Sequence, residues 1–210
     1  MSVLLSDSAF FFGTIPKVGC TSMKKFLYEL STGTKWKPYK SSGKMVYIHD
    51  FMPGIRWPDY PDLNGVERWT MVRDPIKRFV SAYQHRVVSS KELELPRSQR
   101  IIQAMNLPLQ PDIETFIEHF HDYCAASHSV GWHMRPQIDW IGTRTSFWGK
   151  IFPIQEIETV GVLLSQRLQA VATLPHSQRS PKFNGTLSNK HTRFLEDIYS
   201  ADYAIYGAYF

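Results

Sequence analysis

Residues 16–24 combine the side chains and the backbone that an anion-binding loop needs. The segment reads Pro-Lys-Val-Gly-Cys-Thr-Ser-Met-Lys, with a glycine and two hydroxyl groups at the start of a predicted helix. Backbone N–H groups from Val18 to Ser22 can point at an anion, the helix dipole adds partial positive charge, and Lys17 adds a full charge. The candidate binding residues are Lys17, Val18, Gly19, Cys20, Thr21 and Ser22. The pattern indicates a phosphate or sulfate cradle, with a plain glycine turn as the alternative.

The order of residues in this loop excludes two familiar phosphate motifs. A Walker A loop needs lysine directly before serine or threonine, whereas Lys17 precedes the glycine. A phosphatase Cys-x5-Arg loop needs an arginine where Phe26 follows Cys20. A helix N-terminus lowers the pKa of a thiol, but we expect Cys20 to be a small loop side chain and not a nucleophile.

A second candidate anion ligand, Arg73, follows the predicted strand Glu67–Val72. A guanidinium can hold a phosphate through two parallel hydrogen bonds, which a lysine cannot do as well. Asp74 can cap the following helix and Pro75 can occupy its first turn. Ser81 lies eight residues after Arg73 and therefore about two turns into that helix. The alternatives are a strand-end ion pair for Arg73 and a packed small residue for Ser81.

Strands and helices are predicted to alternate along the chain. Residues 9–15 form a predicted strand before the first loop, and a helix ending near Gly33 follows it. Residues 150–154 are a further predicted strand, followed by a helix from about Glu158 to Leu174. This alternation predicts an α/β fold with a central parallel sheet flanked by helices. Both candidate loops would then lie at the carboxyl ends of strands, where open sheets bind ligands.

Few helices and strands are predicted in the remaining segments. One amphipathic helix is expected over residues 112–123, and Ser188 is expected to cap a C-terminal helix. Residues 44–48 are a candidate short strand. The predicted loop-rich segments are 35–66, 89–111, 124–149 and 175–187. Long loops in a compact domain are usually functional.

Length and composition favour one soluble globular domain over residues 1–210. The chain has 43% hydrophobic residues and 20% charged residues, which excludes a disordered tail protein. We expect no membrane span, because no window approaches about 18 consecutive apolar residues. Two cysteines cannot form a disulfide framework, and no basic region precedes the apolar N-terminus. The expected location is therefore the cytoplasm.

The basic excess of the chain is concentrated in one segment. The net charge is +5, and seven lysines against Glu29 give residues 17–44 a local charge of +6. Lysines at positions 35, 37, 40 and 44 would attract an anionic cofactor or acceptor. The alternatives are a solvated basic face or a non-enzymatic binder of nucleic acid or another anionic polymer.

The two loops and the C-terminal segment together resemble a known family. Ile15-Pro-Lys-Val-Gly-Cys-Thr-Ser22 is similar to the 5′-phosphosulfate loop of sulfotransferases that use 3′-phosphoadenosine-5′-phosphosulfate (PAPS). Residues 72–83 resemble the 3′-phosphate motif of that family, in which Arg73 and Ser81 would hold the phosphate, and residues 187–207 resemble its closing helix. The likeness is greatest to the carbohydrate branch that contains the chondroitin and heparan sulfate sulfotransferases.

This resemblance implies a P-loop-like architecture and a reaction. PAPS would be the co-substrate and 3′-phosphoadenosine-5′-phosphate (PAP) the product, and no metal would be needed. Lys17 would neutralise charge on the leaving phosphate as the sulfuryl group departs to an acceptor hydroxyl. The expected acceptor is a saccharide, a glycoside or another small molecule and not nucleic acid, and no particular oligomeric state is implied. A phosphoryl transferase is the competing enzyme class.

The resemblance also suggests a general base and further site residues. His49 lies where uronyl 2-O-sulfotransferases of this family carry a catalytic histidine, and Asp50 would orient it or replace it. A histidine that closes a turn is the alternative for His49. His133 and Arg135 lie in a segment that resembles an acceptor loop, with a packed aromatic loop as the alternative, and Lys182 lies where relatives fold a loop over the nucleotide. Phe183 would stack on adenine or join the core.

One group of histidine and cysteine residues in the sequence suggests a metal-binding site. These residues are His119, His121, Cys124, His128 and His133. Positions i and i+2 of a helix do not share a face, so His119 and His121 could bind one ion only if the helix ended between them, and the spacing matches no established zinc pattern. We therefore expect no metal site.

Overall fold

The computed structural model describes residues 2–175 and 185–210 of the chain. Its strands are β1 Val3–Leu5, β2 Phe10–Gly13, β3 Tyr39–Ser41, β4 Lys44–Val46, β5 Glu67–Val72 and β6 Lys150–Pro153. Its α-helices are α1 Cys20–Thr32, α2 Ile48–Phe51, α3 Pro75–Tyr83, α4 Pro96–Ala104, α5 Ile113–Glu118, α6 Phe120–Ala126, α7 His128–Met134, α8 Ile138–Ile141, α9 Ile157–Leu168, α10 Asn189–Ile198 and α11 Ser200–Tyr206. A π-helical stretch, Gln84–Ser89, continues α3.

A four-stranded sheet in the order β1-β2-β5-β6 forms the centre of the fold. Strands β2, β5 and β6 are parallel, with Gly13 opposite Thr70 and Val72 opposite Pro153. Strand β1, which the sequence analysis did not predict, is antiparallel to β2 at one edge. The side chains along β2 are buried without alternation, as is typical of a strand covered on both faces. The predicted α/β class is confirmed, with a mixed sheet.

The chain divides into two compact units. The first contains the described residues of the ranges 1–73, 137–179 and 205–210, including the whole sheet, α1, α2, α8 and α9. The second contains the described residues of 74–136 and 180–204, with α3 to α7 and α10 around a core that includes Phe79, Phe116 and Tyr123. The proposal of one domain over residues 1–210 stays a prediction.

Several helix ends lie where the sequence predicted them. The helix α1 ends at Gly33, whose φ of 69° is left-handed and whose N–H donates to the Glu29 carbonyl. The Asp74 carboxylate caps α3 by accepting from the Lys77 N–H at 2.8 Å. Ser188 caps α10 in the same way.

Other predicted boundaries were wrong for local and tertiary reasons. The single helix expected over 112–123 is broken at His119, whose φ of −112° and ψ of 33° lie outside the helical region. The helix expected to reach Leu174 ends at Leu168, because Gln169 has a left-handed φ of 50°. The segments 89–111 and 124–149 hold α4, α7 and α8 and are not mainly loops. These short helices depend on buried residues such as Met134 and Trp140 more than on a long amphipathic pattern.

Residues 44–48 divide between two elements. Strand β4 ends at Val46 and pairs with β3 as a hairpin, while Ile48 begins α2. Across residues 2–175 and 185–210, no helix has the length and apolarity needed to cross a membrane.

Candidate active site

The loop between β2 and α1 has an unusual backbone. Lys17 and Gly19 both adopt left-handed conformations, with φ of 68° and 66°, and a lysine rarely does so. The first turn of α1 carries no acidic residue. The helical ladder begins with the Met23 N–H, which donates to the Gly19 carbonyl at 2.9 Å. The amides before Met23 are therefore those that a helix N-terminus offers to an anion.

The loop is packed tightly from within its own unit. A Cβ on Gly19 would lie 2.8 Å from the Ile157 Cδ1 atom and 3.2 Å from the Ile154 Cδ1 atom. The left-handed φ of 66° is the stronger reason for glycine here, because other residues rarely adopt it. Val18 is buried, and its N–H donates to the Ile15 carbonyl at 3.2 Å. The Val18 amide, predicted as an anion donor, thus serves the turn itself.

Arg73 joins the end of β5 to the same loop. Its Nη1 donates to the Lys17 carbonyl at 3.1 Å. The buried Gln137 amide holds the Arg73 backbone, because its Oε1 accepts from the Arg73 N–H at 3.0 Å and its Nε2 donates to the Arg73 carbonyl at 2.8 Å. The structure therefore brings together two motifs that are 56 residues apart. Ser81, the predicted partner of Arg73, belongs to the second unit and is half-buried on α3.

His49 lies on α2 and contacts the first turn of α1. Its Nε2 atom is 2.9 Å from the Thr21 hydroxyl oxygen. The Asp50 carboxylate accepts from the Tyr47 N–H at 2.8 Å, so it stabilises the start of α2. The structure thus unites the predicted base with the predicted anion loop and gives Asp50 a capping bond.

Lys24 is a residue whose role the sequence analysis missed. It is fully buried, and its Nζ donates to the Met52 carbonyl at the end of α2. Burial lowers the pKa of the Lys24 amine to about 8, and the smaller effect of the nearby Cys20 is in the opposite direction. In the sequence Lys24 is one of seven lysines in a basic segment, and nothing there distinguishes it from the exposed ones.

His133 and Arg135 belong to the second unit and contact their own surroundings. The His133 Nδ1 donates to the Ser129 carbonyl at 2.7 Å, and its Nε2 accepts from the Arg86 Nη2 at 2.6 Å. The exposed Arg135 guanidinium lies 5.7 Å from the centre of the Trp132 ring. Of the two interpretations drawn from the sequence, these contacts favour the packed aromatic loop.

Arg78, which the sequence analysis did not single out, organises this loop. It is fully buried on α3. It donates through Nη1 to the His133 carbonyl at 3.1 Å and through Nη2 to the Arg135 carbonyl, and it lies 5.6 Å from the Tyr199 ring centre. The α3 motif therefore contributes a structural cation to the second unit.

Two remaining predictions concern the loop over the nucleotide and the absence of a metal site. Lys182 and Phe183 lie outside the described residues. In the part of the chain that the structure describes, no three His, Cys, Asp or Glu side chains are grouped to hold a metal ion. His119 instead lies 3.4 Å from the Asp122 carboxylate on an exposed surface.

Comparison with known proteins gives this site its context. A model of the sulfotransferase family matches residues 3–209. No curated protein and no solved structure matches the chain. Because the family model covers nearly the whole sequence, the chain belongs to the sulfotransferase family. It is accordingly a PAPS-dependent sulfotransferase, an enzyme that moves a sulfuryl group from PAPS to an acceptor.

Proposed function

We propose that this enzyme transfers the sulfuryl group from PAPS to a hydroxyl of a saccharide or glycoside by in-line displacement, with His49 as the general base. The observation that carries the proposal is the 2.9 Å contact between His49 Nε2 and the Thr21 hydroxyl. It puts an imidazole, a group that titrates near neutrality, at the first turn of the helix whose N-terminus suits an anion.

The residues of the first unit fit the charge of PAPS. PAPS supplies the activated sulfuryl group when it is bound. Lys17 and the amides of Gly19, Cys20, Thr21 and Ser22 would hold the 5′-phosphosulfate, because the first turn of α1 carries no competing carboxylate. Arg73 would hold the 3′-phosphate, and Ser81 and Lys182 are proposed as further ligands.

Each catalytic role follows from side-chain chemistry. The acceptor oxygen forms a bond to sulfur while the bond from sulfur to the 5′-phosphate oxygen breaks. His49 takes the acceptor proton on Nε2, the nitrogen that lies beside the Thr21 hydroxyl. Lys17 stabilises the negative charge that grows on the departing phosphate.

The basic segment supports an anionic or sugar-like acceptor. Lys35, Lys37, Lys40 and Lys44 are exposed, so their charge can draw anions toward the first unit. Tyr39 and Tyr47 are also exposed, and aromatic rings pack against the apolar faces of sugars. A small secondary metabolite is the alternative acceptor. The two-cysteine composition supports placing the enzyme in the cytoplasm.

Incubation with radiolabelled PAPS tests the proposal. The protein is given unsulfated chondroitin, a simple aryl glucoside, or a small-molecule cell extract, and PAP binding is measured by calorimetry. We expect PAP binding and label on a carbohydrate. Label confined to a product without sugar would favour the metabolite alternative, and failure to bind PAP would contradict the site.

A further inference from the structure

One face of α1 holds α2 through consecutive helical turns. The contacting positions on α1 are spaced by three and four residues, so their side chains lie in one row. Three contacts form the row: the Thr21 hydroxyl with His49 Nε2 at 2.9 Å, Lys24 Nζ with the Met52 carbonyl, and the Tyr28 ring with the Phe51 ring at 5.6 Å between centres. The row joins the helix that bears the anion loop to the helix that bears the proposed base.

The helix α2 depends on such contacts for its position. It contains four residues, and an isolated helix of that length is not stable in water. Met52 closes it by donating from its N–H to the Ile48 carbonyl at 2.9 Å. The Met52 carbonyl belongs to the C-terminal end, where carbonyls lack helical partners and must find hydrogen-bond donors elsewhere. Lys24 supplies the donor for this carbonyl.

The full burial of the Lys24 amine is unfavourable unless a hydrogen bond compensates for the lost contact with water. Removing an amine from water is costly, and lysine side chains usually extend to the solvent. Lys24 instead is fully buried, and its amine contacts the C-terminal end of α2. A neutral amine keeps two N–H donors, so the bond to the Met52 carbonyl persists after loss of the proton, although a neutral donor forms a weaker hydrogen bond than a charged one.

We propose that Lys24 is a positioning residue for His49: its bond to the Met52 carbonyl fixes the end of α2 and thereby holds His49 Nε2 beside the first turn of α1. Lys24 has no contact with the acceptor in this proposal and acts only through α2. The inference rests on the proposed function, in which His49 is the general base.

The Lys24→Met variant tests the structural half of the proposal without any acceptor. Methionine keeps an unbranched side chain in the buried site and removes the donor. The ring-nitrogen signals of His49, assigned with His49→Ala, are recorded by NMR for both proteins. We expect the His49 signals to move while those of His133 and His191 stay, and PAP affinity to stay within about twofold. Unchanged His49 signals, or loss of PAP binding, would overturn the proposal.

The Lys190→Met variant is the matched control. The Lys190 side chain is 77% exposed and pairs with Glu118, so its loss removes a lysine charge without touching α2. It should leave the His49 signals unchanged. If Lys24→Met does not fold, Lys24→Gln replaces it, since glutamine keeps an N–H donor. Signals close to those of the wild type would then support the proposal, and displaced signals would contradict it.

Kinetics test the catalytic half. In Lys24→Met we expect kcat to fall by roughly ten- to a hundredfold with little change in the KM of PAPS, because the base is misplaced and the cofactor site is intact. In a His49→Ala background the same substitution should cost nothing further. Losses that multiply in the double variant would overturn the positioning role. If His49→Ala alone keeps the wild-type rate, the base assignment fails, while the NMR result still decides whether Lys24 orients His49.

Discussion

His49 in the first unit and His133 in the second differ in what faces the Nε2 atom. The Nε2 of His49 meets a hydroxyl, which can donate or accept a hydrogen bond and so suits both protonation states. The Nε2 of His133 meets the guanidinium of Arg86 at 2.6 Å, and an arginine only donates. His133 cannot carry a proton on Nε2 without losing this bond. The partner of the ring nitrogen, more than the residue type, therefore separates a candidate base from a structural histidine.

The buried cations of the two units show a related contrast. Lys24 and Arg78 are both fully buried, and both donate to backbone carbonyls that end a helix or lie just beyond one. Lysine can release its proton when it is buried, whereas the arginine guanidinium keeps its charge in proteins. The first unit thus holds a cation that can titrate, and the second holds a permanent one.

The largest expected effect separates the two histidines. His49→Ala should lower kcat by roughly 10² to 10⁴-fold, the usual contribution of a general base, with little change in melting temperature. His133→Ala should lower the melting temperature and leave kcat within about threefold of the wild type, because the His133 ring accepts a hydrogen bond from Arg86. Steady-state kinetics and thermal unfolding of both variants measure this difference. A His133→Ala variant that loses turnover while its melting temperature is unchanged would contradict the structural role of His133.

Arg78→Met should destabilise the protein by about 3 kcal/mol. The substitution leaves the His133 and Arg135 carbonyls without their buried donor, and each unsatisfied buried group costs about 1–3 kcal/mol. Urea unfolding measures the change in the free energy of unfolding. Lys77→Met on the same helix is the control, since Lys77 is exposed and its substitution should change stability by less than about 0.5 kcal/mol. Equal effects at the two positions would mean that Arg78 is not a structural cation.

The sequence predicted the parts of the site that depend on local order. Gly19 and the hydroxyl residues mark the loop, and Asp74 with Pro75 marks the start of α3, because caps and tight turns are determined by a few neighbouring residues. The strands β2, β5 and β6 were also predicted, since buried apolar runs are visible in the sequence.

The contacts that complete the site depend on tertiary packing and were not predictable. Gln137 lies 64 residues from Arg73, and a single glutamine in a predicted loop gives no sign that it will hold a strand end. Lys24 looks like its lysine neighbours until the position of α2 is known. The short helices α7 and α8 were missed for the same reason, because packing and not propensity stabilises them.

The smallest expected effect concerns how the stability of the protein depends on pH. Burial lowers the pKa of Lys24 from 10.5 to about 8, so between these values the unfolded chain binds more protons than the folded one. The free energy of unfolding therefore rises with pH in that window, by roughly 1 kcal/mol between pH 8 and 9 from this group alone. Below about pH 7 the amine is protonated in both states, and the contribution of Lys24 is constant.

Other buried groups oppose this rise at higher pH. Burial raises the pKa of Cys124 from 9.0 to about 12 and that of Tyr83 from 10.0 to about 12. The folded state keeps these protons after the unfolded chain has released them, so their contribution to stability falls above about pH 9. Lys24→Met should abolish the rise between pH 8 and 9 and keep the fall above it. Urea unfolding at several pH values measures the free energy of unfolding of both proteins. If it changes with pH in the same way in the wild type and in Lys24→Met between pH 7.5 and 9, Lys24 does not titrate there and does not differ from Arg78 in this respect.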